Sequence, residues 1–373
     1  MKNKNFKLLY VHNADFSSFS ANRIQVLNMC QAFYNIGIDV TLLSFNCNKE
    51  IIKKVYGYDI KYNLTSLKPV SNNYHLRSLQ LFFHFLKIKD NFDNIFTRNL
   101  TFAYLVTRFS KEKKIIYELH EINENTIWLK MFKNCLNYLK AVVTVSTNNI
   151  RYFKNYNSSK FIFLPNAVDI KKFNINFSKE EIRDLLKLPK NKILVTYVGS
   201  LQKWKGYDTF LKSYNYLENK GNILYLIVGA KKNQISALKN MYKNIIFIPF
   251  VENYKIPLFL KASDILIIPN SSKYEISLKY TSPLKLFEYM ASKRPIIASN
   301  LPSIKNIVNE DEVLFFEPDN EKDLASKIEF LISNKNLQEK LAKNAYKKVK
   351  NYTWNKRAKK IVDIFLDISN VGG

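Results

Sequence analysis

Apolar runs recur along the whole chain, separated by amphipathic stretches, and most are apolar at every position instead of at alternate ones. Continuous apolar runs of this kind predict strands covered on both faces, as in parallel sheets flanked by helices. In the first half FKLLYVH reads as a strand, ANRIQVLNMCQAFYNIG as an amphipathic helix ending near Gly37, and DVTLLSF as the next strand, a βαβ opening. NIFTR, KKIIYELH, AVVTVS and FIFLPN continue the series. Turn formers then interrupt it in LPNAVDIKKFNINFSKEEI, and KILVTYVGS, NILYLIVGA, NIIFIPF, DILIIPN, RPIIASN and EVLFFEP repeat the theme. From Asp319 the pattern is helical, ending in YTWNKRAKKIVDIFLDIS. The fold class predicted is α/β, with two Rossmann-like, doubly wound domains and a cleft between them, and 373 residues suit two cores better than one. The boundaries expected are 1–172 and 173–351, with 352–373 as a terminal helix.

Composition narrows the classes. Hydrophobic residues make up 47%, which excludes a disordered chain. No apolar run approaches the roughly 18 residues of a membrane span, and MKNKNFKLLYVHN lacks the features of a signal peptide, so a cytoplasmic location is expected. The formal charge of +27 suits polyanions, but only eight of the 58 basic residues are arginine, whereas base readout leans on bidentate Arg. A basic nucleic-acid-binding protein is therefore the second reading, and attraction to acidic lipid headgroups on the inner face of the cell membrane the preferred one. SLQLFFHFLKIK, Ser78 to Lys89, mixes apolar and basic residues and is either a surface-seeking or an ordinary packed helix. Cys30, Cys47 and Cys135 have no CxxC spacing and read as buried thiols. There is no Asp-x-Asp element, and His12, His75, His84 and His120 lack ligand spacing, so no metal is expected.

Two segments concentrate chemistry. In YTSPLKLFEYMASKRPIIASNLPS, Ser282 is a candidate N-cap and Pro283 a first helical residue, so the amides around Leu284 would be free to meet a phosphate. Leu284, Phe287 and Ala291 share one face, and Lys285 and Glu288 a neighbouring one. The bland alternative is a surface Lys285–Glu288 ion pair contributing about 0.2–0.5 kcal/mol. In VTYVGSLQKWKGYDTFLKSY, Gly199 ends a strand and Lys205-Gly206 precedes a helix, placing an ammonium where it can reach a diphosphate, or simply water. Asn166 and Asp169 in LPNAVDIKKF suit turn capping, and the gly-free loop NADFSSFSANR offers Arg23 as an anion ligand. His120 ends the strand in YELHEI between Glu118 and Glu121, where an imidazole can hydrogen-bond a ligand or merely backbone.

These segments resemble the donor region of retaining GT-B glycosyltransferases, family 4, also called glycosyl transferases group 1. The resemblance implies that Glu288 binds ribose hydroxyls, that the helix start at Ser282, Pro283, Leu284 and Lys285 meets phosphates, and that Lys205 does so beside Gly199 and Ser200. Ser200 stands where the family usually has Arg, leaving Lys203 or Lys285 to supply the second cation. Tyr280 stands where many members carry a second Glu, Glu275 falls out of register, and Ala167 replaces a Gly. His120 is implied to face the transferred sugar, and the last helix to cross back onto the first, acceptor-side domain. The implied reaction moves a sugar from a nucleoside diphosphate sugar, a co-substrate with no further cofactor, to a hydroxyl acceptor with retention. Its acceptor would be a glycan or lipid-linked glycan of bacterial polysaccharide biosynthesis, lipopolysaccharide or capsule. A same-fold epimerase or phosphorylase and an inactive partner subunit are further alternatives.

Overall fold

The computed structural model describes residues 6–218 and 220–368. The chain divides into two compact units, the first from residues up to Pro165 together with those from Trp354 onward, the second Asn166–Thr353. The division thus falls at 165/166 and 353/354, where the sequence suggests 172/173 and 351/352. The reason is local: Val168 N–H donates to the Tyr352 carbonyl at 2.9 Å, which places the LPNAVDIKKF segment beside the end of the second unit.

The first unit holds a seven-stranded, wholly parallel sheet of β1 (Lys7–Asp15), β2 (Asp39–Phe45), β3 (Asn63–Leu67), β4 (Asn94–Thr97), β5 (Lys114–Leu119), β6 (Ala141–Thr144) and β7 (Phe161–Phe163), in the order 3-2-1-4-5-6-7. Its β3 is absent from the sequence-based series because NLTSL is a half-exposed edge strand with little apolar pattern. The second unit holds a six-stranded parallel sheet of β8 (Ile193–Val198), β9 (Ile223–Ala230), β10 (Ile245–Pro249), β11 (Ile265–Ile268), β12 (Ile296–Ser299) and β13 (Leu314–Phe316), in the order 10-9-8-11-12-13. Successive residues of β8 to β12 feed two separate apolar layers. Leu194, Leu226, Leu266 and Ile296 pack with Leu286 and Phe287 on one face, and Val195, Tyr225, Ile265 and Ile297 with Phe210 on the other. Both faces are covered, which is why these strands are apolar throughout. In each sheet the winding reverses beside the first strand, between β1 and β4 and between β8 and β11, and doubly wound folds bind ligands beyond the carboxyl ends at such a point.

The helix Trp354–Phe365 belongs to the first unit and packs on the helix Ala21–Asn35. From it Arg357 donates to the Glu118 carboxylate at 2.6 Å and to the carbonyls of Pro165 and Leu164 at 3.0 and 3.2 Å. Gln25 donates to the same carboxylate at 2.8 Å and Tyr10 at 3.3 Å. Burial alone would raise the Glu118 carboxyl, but the charge of Arg357 and the neighbouring His120 outweigh it and hold it well below the usual range. Replacing Arg357 by Met strands a buried carboxylate and should cost about 3–5 kcal/mol in a urea titration. Because the folded pKa is depressed, the stabilisation in the native protein is fully present above the ordinary carboxylate pKa and lost as pH falls through the folded one. Unfolding midpoints that match the native protein at pH 7 would contradict this role.

Candidate functional site

In the second unit the groups singled out above gather around the carboxyl ends of β8 and β11. β8 runs into Gly199, held at φ +148° with its N–H on the Val228 carbonyl at 2.8 Å. The turn Lys203–Lys205 then closes on Gly206 at φ +65°, where an added Cβ would stand 1.7 Å from the Pro269 carbonyl oxygen. Only glycine fits this approach. The turn therefore lies directly on the end of β11, and Ser271 N–H ties it there through the Trp204 carbonyl at 3.0 Å.

Lys205 Nζ donates to Ser200 Oγ at 2.7 Å, and burial lowers its pKa to about 8. Lys203 is exposed on the same turn. Lys285, on the helix Leu284–Ala291, has a buried Nζ with no hydrogen-bond partner, lying 4.6 Å from the centre of the Tyr197 ring. Burial, together with the charge of Lys205, drives its pKa well below the usual lysine range. The surface Lys285–Glu288 ion pair does not form. Glu288 is half-buried, and burial raises its pKa while Lys172 and a hydrogen bond from Asn253 act against the rise. The helix is fixed against β8 by Tyr289, whose Oη accepts the Val198 N–H at 2.8 Å.

The helix start differs from the sequence expectation. Pro283 occupies the N-cap, not the first helical position, and Ser282 does not cap. Its hydroxyl accepts the Asn166 N–H at 3.1 Å and its carbonyl accepts from Asn166 Nδ2 at 2.7 Å, so Asn166 serves Ser282 instead of a local turn. Asp169 does cap, accepting the Lys171 N–H at 3.1 Å. The N–H groups of Leu284 and Lys285 have no carbonyl one turn earlier in the helix and remain available at its positive end. Glu275 pairs with Lys279 at 2.5 Å on the exposed side, and Tyr280 closes the π-helical turn Ile276–Tyr280.

Asn270 adds to this group and was not singled out from the sequence. It follows β11, is fully buried, and neither polar atom of its side chain has a partner. A polar residue ending the apolar run DILIIPN is the signal that could have marked it.

In the first unit His120 follows β5, with Nε2 3.2 Å from Glu118 Oε1. Burial and the nearby charge of Arg98 lower its pKa to about 4, so the imidazole is neutral at pH 7. Glu118 is a buried hub and Glu121 is exposed, so the two do not act as a carboxylate pair. Cys30, Cys47 and Cys135 are buried free thiols.

Residues 178–348 match the family described as Glycosyl transferases group 1. An uncharacterized glycosyltransferase of Methanocaldococcus jannaschii is 28% identical over 85% of both chains. A capsular polysaccharide biosynthesis glycosyltransferase of Staphylococcus aureus is 26% identical over 50% of this chain and 48% of its own. The N,N'-diacetylbacillosaminyl-diphospho-undecaprenol alpha-1,3-N-acetylgalactosaminyltransferase of Campylobacter jejuni is 23% identical over 63% and 62%. Among solved structures, a glycosyltransferase from Rickettsia africae superposes with a TM-score of 0.78 at 20% identity, covering 99% of this chain and 100% of that one. An Anabaena protein, HepE, in complex with UDP gives 0.77 at 15% identity, covering 97% and 100%. The fold is that of the GT-B proteins, two parallel-sheet Rossmann-like domains. Within its second unit the chain matches the glycosyl transferases group 1 over residues 178–348, and its relatives include glycosyltransferases named for polysaccharide biosynthesis.

An unpartnered buried ammonium stabilises nothing, so Lys285→Met should raise the thermal stability of the ligand-free protein, by about 1–3 kcal/mol. The same variant should bind a nucleoside diphosphate more weakly. Scanning calorimetry with and without UDP reads both, and a variant that is less stable yet binds UDP equally well would show that Lys285 is structural.

Proposed function

We propose that the protein transfers a sugar from a nucleoside diphosphate sugar to a hydroxyl group of a glycan or lipid-linked acceptor, with retention of anomeric configuration and without a divalent metal. The observation that carries this reading is the pair Lys205 and Lys285, two lysine amines gathered at a strand-end crevice, neither of them in an ion pair among the described residues. A diphosphate supplies the missing charge, and the helix-start N–H groups of Leu284 and Lys285 add donors for its oxygens. As the bond from the anomeric carbon to the phosphate oxygen breaks, negative charge grows on the diphosphate and both ammonium groups stabilise it most at that moment. The acceptor oxygen bonds to the anomeric carbon, and its proton passes to the departing phosphate. Glu288 accepts hydrogen bonds from the ribose hydroxyls. The UDP in the Anabaena neighbour supports a nucleotide donor, and the names of the Staphylococcus and Campylobacter relatives support a polysaccharide or diphosphate-linked acceptor.

Glu288→Gln keeps the shape but removes charge-assisted acceptance, which contributes about 1.5–3 kcal/mol. UDP or GDP should then bind roughly tenfold or more weakly by calorimetry. Equal affinities in the native protein and the variant would sink the donor assignment.

A peripheral position on an anionic membrane is part of the same proposal. The helix Tyr74–Ile88 buries Leu81, Phe82 and Phe85 while Leu76 and Phe83 stand exposed beside Lys87. Leu67, Val70, Leu79 and Phe83 line a recess of about 550 Å³ there, and the chain carries +27 overall. Among the described residues no helix is long and apolar enough to cross a membrane. Vesicles containing phosphatidylserine should float the protein at low salt and release it at high salt, and Phe83→Ser should weaken the association. Flotation that is equal on neutral and anionic vesicles, or absent from both, would remove this part of the proposal.

A further inference from the structure

The first sheet has a switch point of its own, and its chemistry is cationic. β1 and β4 lie side by side with Val11 opposite Thr97, so Arg98, just past the end of β4, follows that pair on one strand while His12, still within β1 but beyond its last pairing with β4, follows it on the other. His12 is buried, and its Nε2 has no partner. Arg98 donates to Gln25 Oε1 at 2.7 Å. Arg23, from the helix that follows β1, donates through one terminal nitrogen to the Ser18 hydroxyl at 2.8 Å, and its buried Nε has no partner. Both guanidinium charges act on His12, and burial with Arg98 keeps its imidazole neutral.

The carboxylates of this edge are committed elsewhere. Glu118 pairs with Arg357 at 2.6 Å and reaches Arg98 only through Gln25 and at longer range, and Asp15 takes the Ser17 N–H at 2.9 Å, Asn46 at 3.0 Å and Arg77 at 4.0 Å. Among the described residues neither Arg23 nor Arg98 is in an ion pair. Two guanidinium groups and a neutral imidazole with a free nitrogen therefore converge where a doubly wound sheet takes its ligand. An Arg fork suits the paired oxygens of a phosphate, and the second Arg and a protonated ring nitrogen add further donors.

We propose that Arg98, Arg23 and His12 form a second anion site, on the first unit, which recognises a phosphate or diphosphate group of the acceptor. The inference rests on the transferase reading for the word acceptor, but the site itself is separate from Lys205, Lys285 and Glu288. Its ligand class is a phosphorylated acceptor, such as a sugar joined to a carrier through a diphosphate, in preference to a neutral glycan. The reaction that supplies this substrate is one that leaves a phosphate or diphosphate on the acceptor.

Titrating inorganic pyrophosphate into the full-length protein by calorimetry, at fixed moderate salt, tests it. The native protein should take up two equivalents, and a Lys205→Ala/Lys285→Ala variant should keep one. Adding Arg98→Gln to that variant should weaken the remaining site roughly tenfold or more, as loss of a charged hydrogen bond does. Arg23→Gln should act in the same direction, and Arg98→Gln alone should still bind UDP with native affinity. Circular dichroism confirms that each variant is folded, and Arg98→Lys, which keeps the charge, should recover part of the loss. If the two-lysine variant binds no pyrophosphate while the native protein binds one equivalent, the inference fails and the donor site stands. If residual binding survives Arg98→Gln and Arg23→Gln, the attraction is diffuse and the inference also fails.

Discussion

Burying two lysine ammonium groups near each other without a counter-charge is the constraint around which the second unit is arranged. Lys205 and Lys285 each lose hydration, and each charge raises the cost of the other. Among the described residues no carboxylate pairs with either, and the partners they have are neutral. Ser200 Oγ offers Lys205 a neutral acceptor, and the Tyr197 ring offers Lys285 a cation–π contact. The architecture holds both groups in place despite the penalty. Gly206 lets the Lys205 turn sit on the Pro269 carbonyl, and Tyr289 locks the Lys285 helix to the end of β8. An anion bound at this strand-end crevice, as proposed for the diphosphate, would relieve that penalty.

The first unit solves the opposite problem. Its buried carboxylate, Glu118, is fully answered by Arg357, Gln25, Tyr10 and the neighbouring His120. Arg357 reaches it across 239 residues of sequence, so the terminal helix is bound into this unit by charge as well as by apolar packing. The arrangement also orients His120. With its pKa held at about 4, the ring is a neutral hydrogen-bonding group near pH 7 and not a cation. Arg98 and Arg23, held by neutral acceptors, form no ion pair at that edge among the described residues.

Much of the fold was legible because buried parallel strands announce themselves as unbroken apolar runs, from Leu8–Val11 to Ile296–Ala298. The edge strand Asn63–Leu67 was not, since its side chains are half-exposed and polar. In the second unit, register placed Lys205, Lys285 and Glu288 correctly on their elements, and Gly206 preceded its helix as expected. What register could not give was partnership. Ser282 has the right residue type for a cap, yet Asn166, 116 residues earlier, takes its hydroxyl. Lys285 and Glu288 have ion-pair spacing, yet the lysine turns onto Tyr197. Asn270, His12 and Arg98 carry no motif at all. They matter only because the winding of each sheet brings its strand ends together, which local sequence does not encode.

The most direct test of the uncompensated lysine pair is proton uptake on ligand binding. A lysine with a pKa of about 8 is only partly protonated at pH 8.5, and a diphosphate beside it must raise that pKa. Calorimetric titration of UDP at pH 8.5, in buffers of different ionisation enthalpy, measures the protons taken up directly. The account predicts net uptake with UDP, none with uridine, and a smaller uptake in Lys205→Met. UDP that binds without taking up protons, or a Lys205→Met protein with undiminished uptake, would contradict it.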